Sequence, residues 1–413
     1  MFSRRDFLAA GLYSTAAGLI VPPVLAKGVL AAANDGIHND RVLLVLQLGG
    51  GNDGLNTVIP FADGAYHDAR PTIGITPDKV LKLDAQVGLH PALTGLKALY
   101  DAGHVAIVQG VGYPTPTYSH FEALHVWEYA DPARRATDGW LGRLLASQQL
   151  DTQGHPFACC AAGEASEPTE LRSQNLGAQV SVIDSLQSYR IQGGQGRELA
   201  VTNLYRKTPG LYGALFDSAV ATAQDGIAAL QKSSSYTPAA SYEPRGVVYG
   251  SKVDLASALQ LAAQIIVTQP AAKIIHVVLG GFDTHQQQDV RQQSLLAYVD
   301  TAVSAFMQDM TAHGVDKRVT LFTWSEFGRR VKENGSTGTD HGAASPMFVI
   351  GGAVKGGLLG RQSSLTQTVD SGNLAYSVDF RSVYQSLLRD WLGADPKPVL
   401  GQTFAESGLS WVA

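Results

Sequence analysis

RVLLVLQLGGGNDG, residues 41–54, carries the reading of the fold. Its first eight residues are apolar almost without interruption. A strand with one wet face alternates apolar and polar side chains, whereas a strand covered on both faces, as in a parallel sheet between helices, does not. The run stops at three glycines followed by Asn52 and Asp53. A buried strand therefore hands over to a flexible loop bearing an amide and a carboxylate.

Similar runs recur at 104–111 (HVAIVQGV), 274–279 (IIHVVL), 318–323 (RVTLFT) and 347–350 (MFVI). Helical spacing of apolar residues fills the gaps, at 93–103, at 289–313 with a stop at Gly314, and at 382–393. Alternating strands and helices predict an α/β fold, a three-layer sandwich with a central, mostly parallel sheet. The stretch 150–270 differs, with Gly/Gln and Ser/Tyr/Pro segments around helical pieces such as 214–231 and 253–267. It reads as a lid-like insertion in a single domain spanning 34–413.

Composition narrows the function. Hydrophobic residues make up 45% of the 413, enough for a large core, and charged residues only 16%, as in an exported protein. The net charge of −5 and the lack of a basic block argue against a nucleic-acid partner. Ser3-Arg4-Arg5-Asp6-Phe7-Leu8 has the twin-arginine pattern, followed by an apolar stretch broken by Gly and Pro and a small-residue end at Val24-Leu25-Ala26. These features predict a signal peptide over 1–26, with cleavage as late as about residue 33, and a periplasmic or secreted product delivered by the twin-arginine machinery. An uncleaved anchor would call for ~20 apolar residues without such breaks. No later segment is long and apolar enough to span a bilayer. The only cysteines, Cys159 and Cys160, are adjacent, so no disulfide framework exists and core or surface thiols are expected.

Ligands of open α/β sheets gather at the carboxyl ends of the strands. After the first strand, GGGNDG satisfies G-x-G-x-x-G literally, but Pro60 follows six residues on and no helix is ready to receive a pyrophosphate. What remains is Asn52 and Asp53, either turn formers or metal-capable groups. After the second run, Ser119-His120-Phe121-Glu122 fits a capping box, and the same serine at a helix start is a candidate nucleophile. His120 and His125 lie on that helix. After the third run, Asp283 and His285, two apart in a loop, can share a metal. After the fourth come Glu326, a possible hard-cation ligand, and Arg329, a possible binder of an anionic substrate oxygen. Asp340-His341-Gly342 then follows the flexible NGSTGT.

Together GGNDGLNTVIP, SHFEALHVWE, GGFDTH and SEFGRRVKENGSTGTDHG, followed by a strand and GGAVKGGLLG, resemble a bacterial, twin-arginine-exported family of unknown function. That family is usually placed in the alkaline phosphatase/sulfatase superfamily, and the resemblance covers about residues 40–405. It implies an alkaline phosphatase-like sheet, up to two divalent metals and a nucleophile between them. Asp53 would match the carboxylate after the first strand, Ser119 the nucleophile, and Asp283 with His285 an Asp/His metal pair, here more closely spaced than is usual.

Asp340-His341 admits two registers under that resemblance. It could be the superfamily's adjacent Asp-His, one residue for each metal. Alternatively Glu326 stands in for the usual Asp, Phe327 for its neighbouring His, and His341 is the downstream histidine. The strand–loop pattern favours the second register. One metal would then take Asp283, His285 and His341. The other would take Asp53, Glu326 and Ser119, an all-oxygen set suited to Mg, Mn or Ca more than Zn. Asn52, His120 and Asp340 are supporting or alternative residues, Asp340 as a carboxylate orienting the His341 imidazole. The implied activity is metal-dependent hydrolysis of phosphate or sulfate esters, the substrate being a small molecule or a polymer. A sulfatase would need a C/S-x-P-x-R setting, which SHFEA is not. The rival expectation is a non-catalytic secreted protein that binds an envelope polymer or assists export.

Overall fold

In the computed structural model, which describes residues 39–148, 155, 157–164, 167–174, 180–183, 236–245, 253–370, 372–405 and 409–412, the opening apolar run forms strand β1, Val42–Leu48. Its neighbours on both sides are parallel to it: β5 (Ile274–Leu279) and β6 (Val319–Trp324). Outward from β5 lie β3 (Cys159–Ala162) and β4 (Ser181–Ile183), again parallel. Outward from β6 lie β7 (Ser345–Ile350), β2 (Val105–Gly112) and β8 (Gly357–Gly360). The short β9 (Val378–Asp379) also pairs with β2. Among the described strands of this sheet, only β7 runs against its neighbours. Its amino end therefore lies at the edge of the sheet where β1, β2, β5 and β6 finish.

The continuous apolar pattern of β1 has the predicted cause. Val42, Leu44, Leu46 and Leu48 face a core shared with helices α5 (Leu255–Thr268) and α6 (Gln288–Ala312). Leu43 and Val45 face the opposite core, built with α3 (His120–Tyr129), α4 (Trp140–Gln148) and α7 (Phe380–Ser386). Each such side chain removed from water contributes about 1.5–3 kcal/mol before chain entropy is counted. The three-layer α/β architecture with a mostly parallel sheet is thus the one the sequence predicts.

One feature departs from the expectation. The described parts of 150–270 do not form a separate lid, because β3, β4 and α5 extend the main sheet and one of its helix layers. The signal segment 1–26 and the helical piece expected at 214–231 lie outside the described residues. Cys159 and Cys160 are core thiols, buried in β3, and burial pushes the Cys160 thiol up to about 12. Among the described residues, no helix is long and apolar enough to cross a membrane.

Candidate metal centre

Five chain segments meet at the carboxyl edge of the sheet, four after β1, β2, β5 and β6 and one just before β7. The glycines after β1 make the meeting possible. Gly50 and Gly51 have φ of +116° and +81°. A Cβ on Gly50 would lie 2.5 Å from the Asp283 nitrogen, and one on Gly51 2.2 Å from the Phe327 ring. Only glycine allows both the left-handed backbone and this closeness.

Arg329 fastens the segments together. Its buried guanidinium donates to the carbonyls of Gly51, Gly50, Phe282 and Thr339, and to Asp283 Oδ1 at 2.8 Å. All three of its nitrogens are committed within the protein. The expected role of Arg329 in binding a substrate oxygen is thus not supported by its surroundings; it is a clamp.

Asp283 is the centre of the arrangement. His341 Nε2 and His285 Nε2 each stand 3.1 Å from its Oδ1, and the two nitrogens are 2.9 Å from each other. His120 approaches the other carboxylate oxygen, with Nε2 3.5 Å from Oδ2. His120, Asp283 and His341 offer ligand atoms all within 4.8 Å of one another. The Asp283 side chain keeps 44% of its exposure, so the cluster opens to solvent. Burial opposes its charge. Hydrogen bonds from His341 and Arg329, and the Arg329 charge, outweigh that and hold the carboxyl well below the usual range.

The far nitrogen of each imidazole is held from behind. His341 Nδ1 lies 2.7 Å from the Tyr118 carbonyl oxygen, which can only accept, so that nitrogen carries a proton and the ring is held with Nε2 turned towards Asp283. His120 Nδ1 is 3.0 Å from Glu326 Oε1. This hydrogen bond, and then the charges of Glu326 and Asp283, raise the His120 pKa against its partial burial. His285 Nδ1 is 3.4 Å from Asp340 Oδ1. Phe327 packs its ring 4.3 Å from His341 and 5.0 Å from His120, closing one wall with apolar surface. Nitrogen atoms facing one another across 2.9 Å, beside a carboxylate, need a proton or a cation between them. His120, Asp283 and His341, with His285 beside the last two and an oxygen behind each imidazole, are a nitrogen- and oxygen-donor set able to hold one divalent ion.

The expected second, all-oxygen site does not assemble. Asp53 is buried and turned away: its Oδ2 meets Arg70 Nη1 at 2.5 Å, Oδ1 accepts from Arg70 Nη2 and from the Leu55 amide, and Gln288 also donates to it. That saturated carboxylate caps the short helix Gly54–Thr57. Asn52 bonds Thr57 and Ser325 in the same interior. Glu326, only 2% exposed, accepts from the Gly50 amide and His120 and so supports a ligand instead of being one. Asp340 backs His285, not His341.

Ser119 is the residue just before α3, but the capping box does not form. Its side chain makes no cap hydrogen bond, while Glu122 accepts from the Thr117 hydroxyl at 2.6 Å and pairs with Arg134. The Ser119 hydroxyl is exposed and unpaired, between Tyr118, which holds His341, and His120. His120 is the member that the sequence underrated. The signal available was its place directly after a strand-end loop, beside the candidate nucleophile.

The family model described as a protein of unknown function, DUF1501, matches residues 40–400. The chain belongs to this family. No curated protein matches it. Among solved structures it is similar to the C-terminal periplasmic domain of EcEptC from Escherichia coli in complex with Zn, at 10% identity and a TM-score of 0.36, covering 77% of this chain and 74% of that one. It is also similar to a protein in the alkaline phosphatase superfamily from Vibrio parahaemolyticus, at 10% identity and a TM-score of 0.40, covering 92% and 78%. A third is the PsFucS1 sulfatase from Pseudoalteromonas sp., at 13% identity and a TM-score of 0.39, covering 91% and 72%.

Proposed function

We propose that this DUF1501 protein is an exported, metal-dependent hydrolase of phosphate or sulfate esters, with His120, Asp283, His285 and His341 as the ligands of one divalent ion. The observation that carries the reading is the convergence of imidazole Nε2 atoms on Asp283, with Nδ1 of His341 and His120 tied to the Tyr118 carbonyl and to Glu326. Such backing fixes tautomer and ring direction, the usual companion of a histidine ligand.

When bound, the ion would act as a Lewis acid, favouring the ionised serine and offsetting charge on the transferred group. Ser119 is the nucleophile in this reading, its hydroxyl left unpaired at the start of a ten-residue helix whose amide ends favour an anion. Its Oγ bonds to phosphorus or sulfur as the ester oxygen departs with the bonding pair and gains a proton. Water then cleaves the serine ester and restores the hydroxyl. His120 and His341 are held still on either side by Glu326 and Tyr118, and Phe327 excludes water from one flank.

The test is metal analysis of the purified mature protein, followed by turnover of aryl phosphate monoesters, diesters and sulfates. One ion per chain and turnover abolished by Ser119→Ala, with metal content unchanged, supports the reading. No tightly held ion, or turnover indifferent to Ser119→Ala, refutes it. A second reading, a secreted metal-binding protein without turnover, has one observation in its favour. Asp53 and Arg329, expected to hold a second ion and the substrate, are both consumed by internal partners. An ion bound without hydrolysis of any ester class would select it.

A further inference from the structure

The segment between β2 and α3 carries Ser119 and the carbonyl that holds His341, yet little of its own backbone is tied down. Pro114 and Pro116 have no amide to donate, and Thr115 sits at a φ of +53°. Among the described residues, the hydrogen bonds that join 114–119 to distant parts of the chain all pass through Tyr118.

Tyr118 is held at both ends. Its carbonyl accepts from His341 Nδ1 at 2.7 Å. Its hydroxyl donates to Asp370 Oδ2 at 2.9 Å and accepts from Asn373 Nδ2 at 3.0 Å, so one oxygen fills both roles. Burial, and then the hydrogen bond and charge of Asp370, raise the Tyr118 pKa, which keeps the phenol a donor. The loop that supplies these partners is itself fixed. Val369 and Asn373 form an antiparallel bridge, with backbone bonds of 2.9 and 2.8 Å. Asn373 is fully buried, and its Nδ2 also donates to the Asp370 carbonyl at 2.9 Å. The Gly372 carbonyl accepts from the Val331 amide at 3.1 Å, just beyond the Arg329 clamp, and Leu374 shares a small core with Val331 and Ala344. With hydroxyl and carbonyl both anchored, the peptide between Tyr118 and Ser119 cannot turn without breaking a bond at one end.

We propose that Tyr118 is a positioning residue for the metal centre: Asp370 and Asn373 hold its phenol, and its carbonyl in turn sets the His341 imidazole and the entry to Ser119. The proposal rests on the reading of His341 as a ligand and adds the side chains that stand behind its backing carbonyl. Without the hydroxyl bonds the carbonyl turns freely to water, and the imidazole has to be ordered at the moment the ion binds. Ordering it beforehand removes that cost from metal affinity.

Competition of the full mature protein with a chromophoric chelator for Zn tests it, with melting temperature measured on the same samples. Tyr118→Phe keeps the ring and the carbonyl but loses both hydroxyl bonds, and should weaken Zn binding about tenfold, the lower end of what groups behind a ligand contribute. Asp370→Gly removes the carboxylate without straining a position whose φ is +43°, and should weaken Zn binding in the same way. Asp370→Asn still offers an oxygen to the phenol and should keep most of the affinity. Melting temperatures should stay near wild type, because Asp370 is exposed and Asn373 retains the backbone carbonyl of residue 370. The double variant Tyr118→Phe/Asp370→Gly should bind Zn no more weakly than Tyr118→Phe, since both changes act through one hydrogen bond. A Tyr118→Phe affinity within about twofold of wild type, or losses that add in the double variant, overturns the proposal. A wild-type protein that holds no Zn overturns the hydrolase reading separately, and the metal-free protein then decides the proposal. Imidazole nitrogen NMR should show a slowly exchanging His341 Nδ1 proton that is lost in Tyr118→Phe, while the His285 signals, backed by Asp340, stay. Persistence of that proton in Tyr118→Phe overturns the positioning role.

Discussion

Replacing Glu326 by Gln tests whether the carboxylate behind His120 tunes a metal ligand. Glu326 is 2% exposed and accepts from the Gly50 amide at 2.8 and 2.9 Å, from His120 Nδ1 at 3.0 Å, and from the Ser325 hydroxyl at 3.3 Å. Glutamine has the same volume. With its oxygen towards His120 it can still accept from His120 and Gly50; its amide nitrogen loses the second Gly50 contact but can donate to Ser325 Oγ. The fold should therefore survive. What disappears is the negative charge behind the imidazole, and a hydrogen bond to a neutral acceptor is about half as strong as one to a charged acceptor. Changes behind a ligand histidine cost about 10–100-fold in metal affinity, or roughly 1.4–2.8 kcal/mol. Competition of the protein with a chromophoric chelator for Zn reads this directly. A Glu326→Gln affinity within about twofold of wild type, in a folded protein, would refute the assignment of His120 as a ligand backed by Glu326.

Two further outcomes follow from groups outside the cluster. Asp53→Ala leaves Arg70 buried without its carboxylate and should cost about 3–5 kcal/mol, seen as a lower urea midpoint, while metal bound per folded chain stays the same. If Asp53 were a ligand instead, metal content would fall with it. His276, buried in β5, lies 2.7 Å from Glu164 and 3.3 Å from Glu170. Burial opposes its charge, but the charge of Glu164 and its hydrogen bond outweigh that and raise its pKa from 6.5 to about 10. Because the folded-state value is the higher one, its proton stabilises the fold fully below pH 6.5, and this contribution fades as pH rises towards 10. Urea midpoints measured across that window should decline in the wild type and run flatter in His276→Gln.

Much of the fold is legible along the chain because burial on two faces leaves a one-dimensional trace. The runs at 41–48, 104–111, 274–279, 318–323 and 347–350 all became strands of the main sheet, and the long amphipathic segment at 289–313 became a helix over Gln288–Ala312. The short strands Cys159–Ala162 and Ser181–Ile183 were not legible, being too brief to show a period and set among Gly- and Ser-rich stretches.

The sequence also determined which segments supply chemistry, since a loop can carry polar groups only where a buried strand has ended. It could not determine which of those groups face one another. Asp53 and Asp283 both follow a strand and a run of glycines, yet one is sealed against Arg70 and the other opens to solvent among three imidazoles. Arg329 and Arg330 are adjacent in the chain, yet one has every guanidinium nitrogen bonded and the other has a buried Nε with no partner. Those choices depend on the antiparallel entry of β7, which brings His341 to the ends of β1, β5 and β6, and on the close approach that Gly50 and Gly51 allow. Pattern along a chain records how deeply a residue is buried; the direction of a side chain, and its partner, come from segments far away in sequence.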